Sequence, residues 1–196
     1  MSTAAEPRTG PAGRFVSDRS EHRRALKQLA SPVSILTVRH GDRLHGTTVS
    51  TVTTVSQSPL ILGACLKGGS ILAELAVAEG RFAVNVLGGE QGQTARWFAD
   101  SSRPDGIEQF DGIGWRAADY AAAPLLDGAL AHYDCRVVAC YRVGDHEVLL
   151  GAVVHATAVD GAPLLSFAGG LFAGPLPPAA AAGTDSTRTR KENAAL

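Results

Sequence analysis

Two long runs of strand-forming residues, Ala129 to Val143 and Glu147 to Val159, are separated only by Gly144-Asp145-His146. A connection that short between two β-rich runs leaves a hairpin as the natural arrangement, so the chain is committed to antiparallel pairing. Other segments follow the same habit. Val33 to Arg39 is β-rich, and His40 to Arg43 has turn chemistry leading into Leu44 and a second β-rich run. After Pro59 the stretch LILGACL is almost unbroken apolar sequence and reads as a strand covered on both faces. Arg81 to Leu87 and Pro163 to Phe167 complete the strand candidates.

Helices are few and short. Ser20 is placed to cap a first helix carrying Ala25, Leu26 and Leu29 as an apolar stripe before Pro32. Ser70 is placed to cap a second, with Ile71, Leu72, Leu75 and Ala76 on one face and Gly80 at its end. A third covers about Gln91 to Ala99, with Ala95 and Phe98 inward. Residues 100–120 read as an irregular excursion anchored by Phe110 and Trp115. The regular strand–helix alternation of a doubly wound parallel sheet is missing, so the expected class is mainly β, a small closed or partly closed antiparallel barrel with inserted helices.

At 196 residues the chain suits one domain with tails, and a formal net charge of −1 gives no electrostatic reason to expect nucleic acid or an anionic membrane. The predicted domain spans 18–174, between an arm at 1–17 and a tail at 175–196 whose Ala, Pro, Gly and Thr content predicts disorder. No segment approaches the roughly 18 apolar residues of a membrane span, and the amino terminus lacks a signal-like apolar core. Three cysteines, Cys65, Cys135 and Cys140, are too few for a disulfide framework; they read as small core or strand residues, and the expected setting is cytoplasmic.

The chemistry is defined first by what is missing. There is no G-x-G-x-x-G after a strand, no G-x-S-x-G, no H-E-x-x-H and no paired C-x-x-C, and the six histidines lack metal-ligand spacing. What remains is Gly46 to Ser56, GTTVSTVTTVS, a run of hydroxyls threaded with valines. Buried hydroxyls without partners cost about 1–3 kcal/mol, so this run is either a solvated strand face or a polar binding surface. Nearby, Lys67-Gly68-Gly69-Ser70 combines a cation, free backbone N–H groups and a helix start, which is the chemistry of an anion site. The two together suit a ligand with a phosphate at one end and a planar polar group at the other; flavin mononucleotide has that form. Asn85, set among apolar neighbours, needs partners from backbone or ligand.

The order of these pieces resembles the flavin reductase family, the split-barrel components that supply reduced flavin to two-component monooxygenases. The resemblance is carried by SPVSILTVRHGDRLHGTTVSTVTTVSQSPLILGACLKGGSILAEL, then GRFAVNVLGGEQGQTARWFA, then APLLDGALAHYDCRVVACYRVGDHEVLLGAVV and PLLSF. It implies an antiparallel, Greek-key-like split β-barrel that binds FMN or FAD, takes hydride from NADH or NADPH, and forms a homodimer with its flavin sites near the interface. By the same resemblance Thr47, Thr48, Val49, Ser50, Thr51, Thr53 and Thr54 contact the ring and ribityl chain. Cys65, Lys67, Gly68 and Ser70 hold the phosphate, with Arg96 and Phe98 closing over it. His146 is the catalytic residue and binds nicotinamide with Phe167; no metal is implied. Two departures stand out. Phe167-Ala168-Gly169-Gly170-Leu171 lacks the Arg and Tyr of the family's aromatic-Arg-Gly-x-Tyr pattern, and Ala30-Ser31-Pro32 replaces the usual Pro-Thr-Gly. The first departure keeps open a flavoenzyme acting directly on a small organic substrate, or a barrel that binds flavin without turnover.

Overall fold

A computed structural model describes residues 19–174 and 176–177, so the arm expected over 1–17 and most of the tail expected over 175–196 lie outside the described residues. In chain order the elements are α1 (Arg19–Leu26), β1 (Ser31–Pro32), β2 (Ser34–His40), β3 (Arg43–Val49), β4 (Thr53–Gln57), β5 (Leu60–Lys67), α2 (Ile71–Glu79) and β6 (Arg81–Val86). They continue with α3 (Gly92–Ala99), β7 (Trp115–Ala117), β8 (Pro124–Leu126), β9 (Ala131–Val143), β10 (His146–Ala158), β11 (Leu164–Phe167) and β12 (Gly170–Ala173). Short 3-10 turns lie at Gly89–Gln91 and Gly106–Phe110.

The long hairpin forms as its sequence requires, with His146 opposite Val143 at the tip and Ala158 opposite Ala131 at the base. It sits inside an antiparallel seven-stranded sheet of order β3-β2-β6-β9-β10-β5-β4. The two edge strands, β3 and β4, are consecutive in sequence and joined by Ser50, Thr51 and Val52. Laid flat, the edges of seven strands stand roughly 29 Å apart, whereas that link spans at most about 14 Å. The sheet therefore curls until its edges approach, although no ladder joins β3 to β4. Thr51 fastens the link to β5: its Oγ1 donates to the Cys65 carbonyl (2.9 Å) and accepts from the Cys65 N–H (3.0 Å).

Alternation along β2 feeds two cores. Leu36 and Val38 join Leu62, Ala64, Leu66, Phe82, Val84, Cys135 and Leu149 beneath α2. Ile35 points the other way, toward Leu44, Leu87, Ala95, Phe98, Phe110, Leu126 and Leu164. A three-stranded sheet of order β1-β11-β12 and the pair β7-β8 flank the main sheet. Asn85 finds all its partners in protein: its amide donates to the Ile35 and Pro124 carbonyls and to Thr37 Oγ1, and its oxygen accepts from the Leu126 N–H.

Two expectations are corrected. Ser20 lies within α1 rather than capping it, and Leu26 and Leu29 are 64% and 67% exposed because nothing in the described chain covers the helix. On β5 coverage of the outer face is partial: Leu62, Ala64 and Leu66 face the core and Gly63 is buried beneath Val55 and Leu150, while Cys65 and Lys67 are exposed on the outer face. Among the described residues no helix is long and apolar enough to cross a membrane, and no group of three or more His, Cys, Asp and Glu could hold a metal.

Candidate functional site

A cleft of about 670 Å³ opens where β3 ends, β5 ends and α2 begins. That volume lies within the roughly 300–1,000 Å³ of ligand clefts. Thr47 to Thr51 form one wall, Cys65 to Ile71 the opposite one, and His45, Ser101, Arg103, Pro104 and Asp105 close the end.

The anion end is built locally. Gly68 lets the chain pass close under the β9–β10 tip, where a Cβ at this position would stand 2.9 Å from the Asp145 carbonyl. Its N–H donates to that same carbonyl (2.9 Å), so Gly68 is spent on structure rather than on a ligand. Gly69 takes a left-handed φ of 77° that turns the chain into α2, and Ser70 Oγ accepts from the Ala73 N–H (3.4 Å) as the N-cap. The N–H groups of Gly69 and Ser70 have no partner among the described residues. The Lys67 ammonium likewise has no hydrogen-bond or ion-pair partner among the described residues, leaving its charge available to an anion.

The hydroxyl wall sorts itself by partner. Thr48 Oγ1 donates to the Ala95 carbonyl (2.8 Å) and Thr51 is tied to Cys65, so both are occupied by structure. Thr47, Ser50 and the backbone of the Ser50–Thr51 link remain as the polar surface. Thr53 and Thr54 do not reach the cleft; they are exposed on β4, paired with Gly63 and Leu62.

Other expected contacts lie elsewhere. Phe98 is fully buried, its ring tilted against Phe110 at 5.2 Å and packed under Gly46, so it is a core residue and closes over nothing. Arg96 lines a second groove of about 350 Å³ with Thr48, Ser166, Gly169, Gly170 and Leu171, on the far side of Thr48 from Lys67. Phe167 belongs to β11, its ring against Phe172 at 6.2 Å, and is not part of the cleft wall. In the departing segment, Ala168 (φ 51°) and Gly169 (φ 83°) simply make the tight β11–β12 turn. His146 is exposed opposite Lys67 in the β5–β10 register, with Nδ1 2.8 Å from Asp145 Oδ1; it stands at the rim of the anion end, outside the wall.

The closing end was not foreseen. Arg103 Nη1 donates to the Asp100 carbonyl (2.6 Å), Nη2 to the Gly46 carbonyl, and Nε to Gln109 Oε1 (3.3 Å). Arg43 Nη2 donates to Asp105 Oδ2 (2.7 Å); against the opposing effect of desolvation, the Gly106 N–H and then this arginine hold that carboxyl below the usual carboxylate range. Burial, reinforced by the neighbouring Arg103 charge, lowers His45 from 6.5 to about 4, so it is neutral at pH 7. The sequence signal was Arg103-Pro104-Asp105, polar residues between α3 and the Phe110 anchor.

Such a cleft offers an unpaired lysine, free N–H groups, hydroxyls and a neutral imidazole, but no paired general acid and base. It is equipped to hold and orient a ligand whose own atoms carry the reaction.

Comparison with known proteins agrees with that chemistry. Residues 26–175 match the model of the flavin reductase like domain. An NADH-dependent FAD reductase of Streptomyces globisporus is 37% identical over 155 residues, covering 79% of this chain and 85% of that protein. The reductase subunit of a flavin-dependent monooxygenase from Mycobacterium tuberculosis is 31% identical over 172 residues, covering 86% and 83%. The crystal structure of the flavin reductase component of a bacterial two-component tryptophan halogenase superposes with a TM-score of 0.76 at 28% identity, covering 82% of this chain and all of that one.

Proposed function

The chain belongs to the flavin reductase family, and from that membership we propose that it is an NAD(P)H-dependent flavin reductase that passes reduced FMN or FAD to a partner monooxygenase. The observation that carries this reading is the unpartnered Lys67 at the start of α2, at one end of a cleft whose wall is hydroxyl and backbone. Phosphate is the ligand group that such an end favours, and a flat carbonyl-rich ring is what the remaining wall suits.

When bound, the flavin supplies the redox chemistry, with N5 receiving the hydride that nicotinamide gives up. The chain's own residues bind and orient. Lys67, the Gly69 and Ser70 N–H groups and the positive end of α2 hold phosphate; Thr47, Ser50 and the Ser50–Thr51 backbone align the ring. Val49 and Cys65 contribute the apolar part of the wall. His146 works from the rim, where an exposed imidazole meets an incoming nicotinamide nucleotide, and Asp145 fixes its orientation through Nδ1. Arg96, in the groove beyond Thr48, is left for the outer parts of the nucleotides rather than for the Lys67 phosphate. A homodimer is inferred from the apolar outer face of β5, β9 and β10, which continues from the cleft. A cytoplasmic setting suits a free Cys65 thiol and a reduced nicotinamide donor.

The test is direct: purified protein should accelerate NADH or NADPH oxidation when FMN or FAD is added, and no acceleration with any pairing overturns the proposal. Replacing Lys67 and Ser70 together by alanine should raise the flavin Kd roughly tenfold or more, the loss expected for charge-assisted contacts. A Kd unchanged in a folded double variant would remove phosphate from this end.

A further inference from the structure

We propose that Gln109 is a positioning residue that locks His45 as a neutral imidazole with its proton on Nε2, giving the closing end of the cleft an uncharged hydrogen-bond donor for an acceptor atom of the flavin ring. The ligand assignment rests on the function proposed above; the lock itself does not.

Gln109 is fully buried in the Gly106–Phe110 turn and uses every hydrogen-bonding position it has. Two groups that can only donate, the Gly46 N–H (3.2 Å) and Arg103 Nε–H (3.3 Å), converge on one atom of its amide, which must therefore be the oxygen. A flipped amide would set N–H against N–H at both contacts. The amide nitrogen is then left with two protons and two neighbours: Asp105 Oδ1 at 3.3 Å and His45 Nδ1 at 3.2 Å. A proton already on Nδ1 would face the amide proton, so Nδ1 must be the acceptor and the ring's single proton lies on Nε2.

The competing arrangement, an imidazolium paired with Asp105, is the weaker one. Nδ1 stands 3.6 Å from Asp105 Oδ1, beyond hydrogen-bond distance, while Arg43 holds the other oxygen at 2.7 Å. The charged groups facing the ring are Arg103, Arg43 and Asp105, and only Asp105 favours protonation. Burial is the largest influence, the two arginines add to it, and against the pull of Asp105 they lower His45 to about 4.

His45 is 8% exposed, and what it exposes faces the cleft. With Nδ1 turned to Gln109, the outward edge of the ring carries Nε2, which has no partner among the described residues. An N–H without a protein partner, held in place on the wall of a cleft that suits a carbonyl-bearing ring, is a donor available to a ligand acceptor. Being neutral, it does so without adding charge beside Arg103.

The experiment reads the ring directly, by nitrogen-15 NMR of histidine-labelled protein without ligand and then with FMN. His45 should show an unprotonated Nδ1 and a protonated Nε2 that do not titrate between roughly pH 5 and 8, the range in which an ordinary histidine changes charge. FMN should shift the Nε2 resonance. In Gln109→Glu the carboxylate accepts where the amide donated, so His45 should carry its Nδ1 proton and titrate near or above neutrality. Above that titration Nε2 becomes an acceptor, so FMN affinity should fall roughly 3- to 10-fold relative to wild type at the same pH, the titration of the FMN phosphate at about pH 6 being common to both proteins. A wild-type Nδ1–H or imidazolium signal overturns the lock, and so does a folded Gln109→Glu whose FMN affinity keeps a constant ratio to wild type across that pH range. If that variant does not fold, the wild-type spectrum alone decides. Wild type that has the stated tautomer but never binds FMN overturns the flavin reading and the donor role with it, leaving the lock intact.

Discussion

Gly46 lies where three requirements meet in one residue. Its carbonyl accepts from Arg103, its N–H donates to Gln109, and its missing side chain lets Phe98 pack directly against the strand. A Cβ there would stand 2.7 Å from Phe98 Cε1, and Phe98 is fully buried with no room to withdraw. Gly46→Ala should therefore destabilise the fold by about 1–3 kcal/mol, the usual cost of overfilling a packed core. Chemical unfolding followed by tryptophan fluorescence measures it; a variant as stable as wild type would mean the Phe98 ring has freedom that its packing denies. The glycine lies opposite Thr37 in the β2–β3 register, next to Thr47 opposite Leu36, so the same displacement should loosen the cleft wall.

At the scale of elements, the segment from Asp100 to Asp105 has no regular structure of its own; Arg43 and Gln109 hold its end at Asp105, and Arg103 joins it to three places at once. Arg103 ties it to its own start at Asp100, to β3 at Gly46 and to the Gly106–Phe110 turn at Gln109, with its guanidinium 5.9 Å from the Phe98 ring centroid. A lysine keeps the charge but not the planar fork that makes three bonds in three directions. Arg103→Lys should speed amide hydrogen exchange across residues 101–105 and weaken flavin binding several-fold with little change in the exchange of β9 and β10. Unaltered exchange in that segment would show that something other than the arginine orders it. The dependence on distant partners is also why this end was illegible in sequence. The Thr47–Thr51 and Cys65–Ser70 walls could be read because each is a continuous run whose residue types state both backbone and chemistry. His45, Arg103, Asp105 and Gln109 are separated by up to 64 residues and become a site only when β3 meets the turn before Phe110. Strand period carried most of the fold in the same way, including the long hairpin and the β2–β3 pair. It failed for the short β7, β8 and β12, where too few residues repeat, and the apolar stripe read on α1 has no surface in the described chain to cover it.

The whole molecule carries a face that the sheet alone does not bury. Register aligns Cys65 with Val148 and Tyr141, and Gly63 with Leu150 and Ala139, in two rows on the outside of β5, β10 and β9. Val55 lies over Gly63 beside Leu150, and Val55, Val138, Tyr141 and Val154 are 53%, 45%, 54% and 41% exposed. Central strands with apolar residues on their outer face are unusual for a sheet left in water, and contiguous apolar patches of this kind mark association surfaces. A second copy is the occupant that we infer, because Cys65 ends one row and also lines the cleft, so the same burial would shield the bound ring from water. Leu150→Glu places a charge at the centre of the patch, on a side chain that points away from the core. Light scattering should find wild type as a dimer at micromolar concentration and Leu150→Glu as a folded monomer. Its flavin affinity should fall as well, since the inferred dimer would complete the side of the cleft at Cys65. A wild-type monomer, or a Leu150→Glu dimer, would leave this face without the role given to it. A folded monomeric variant with undiminished flavin affinity would separate the interface from the site and place the whole cleft within one chain.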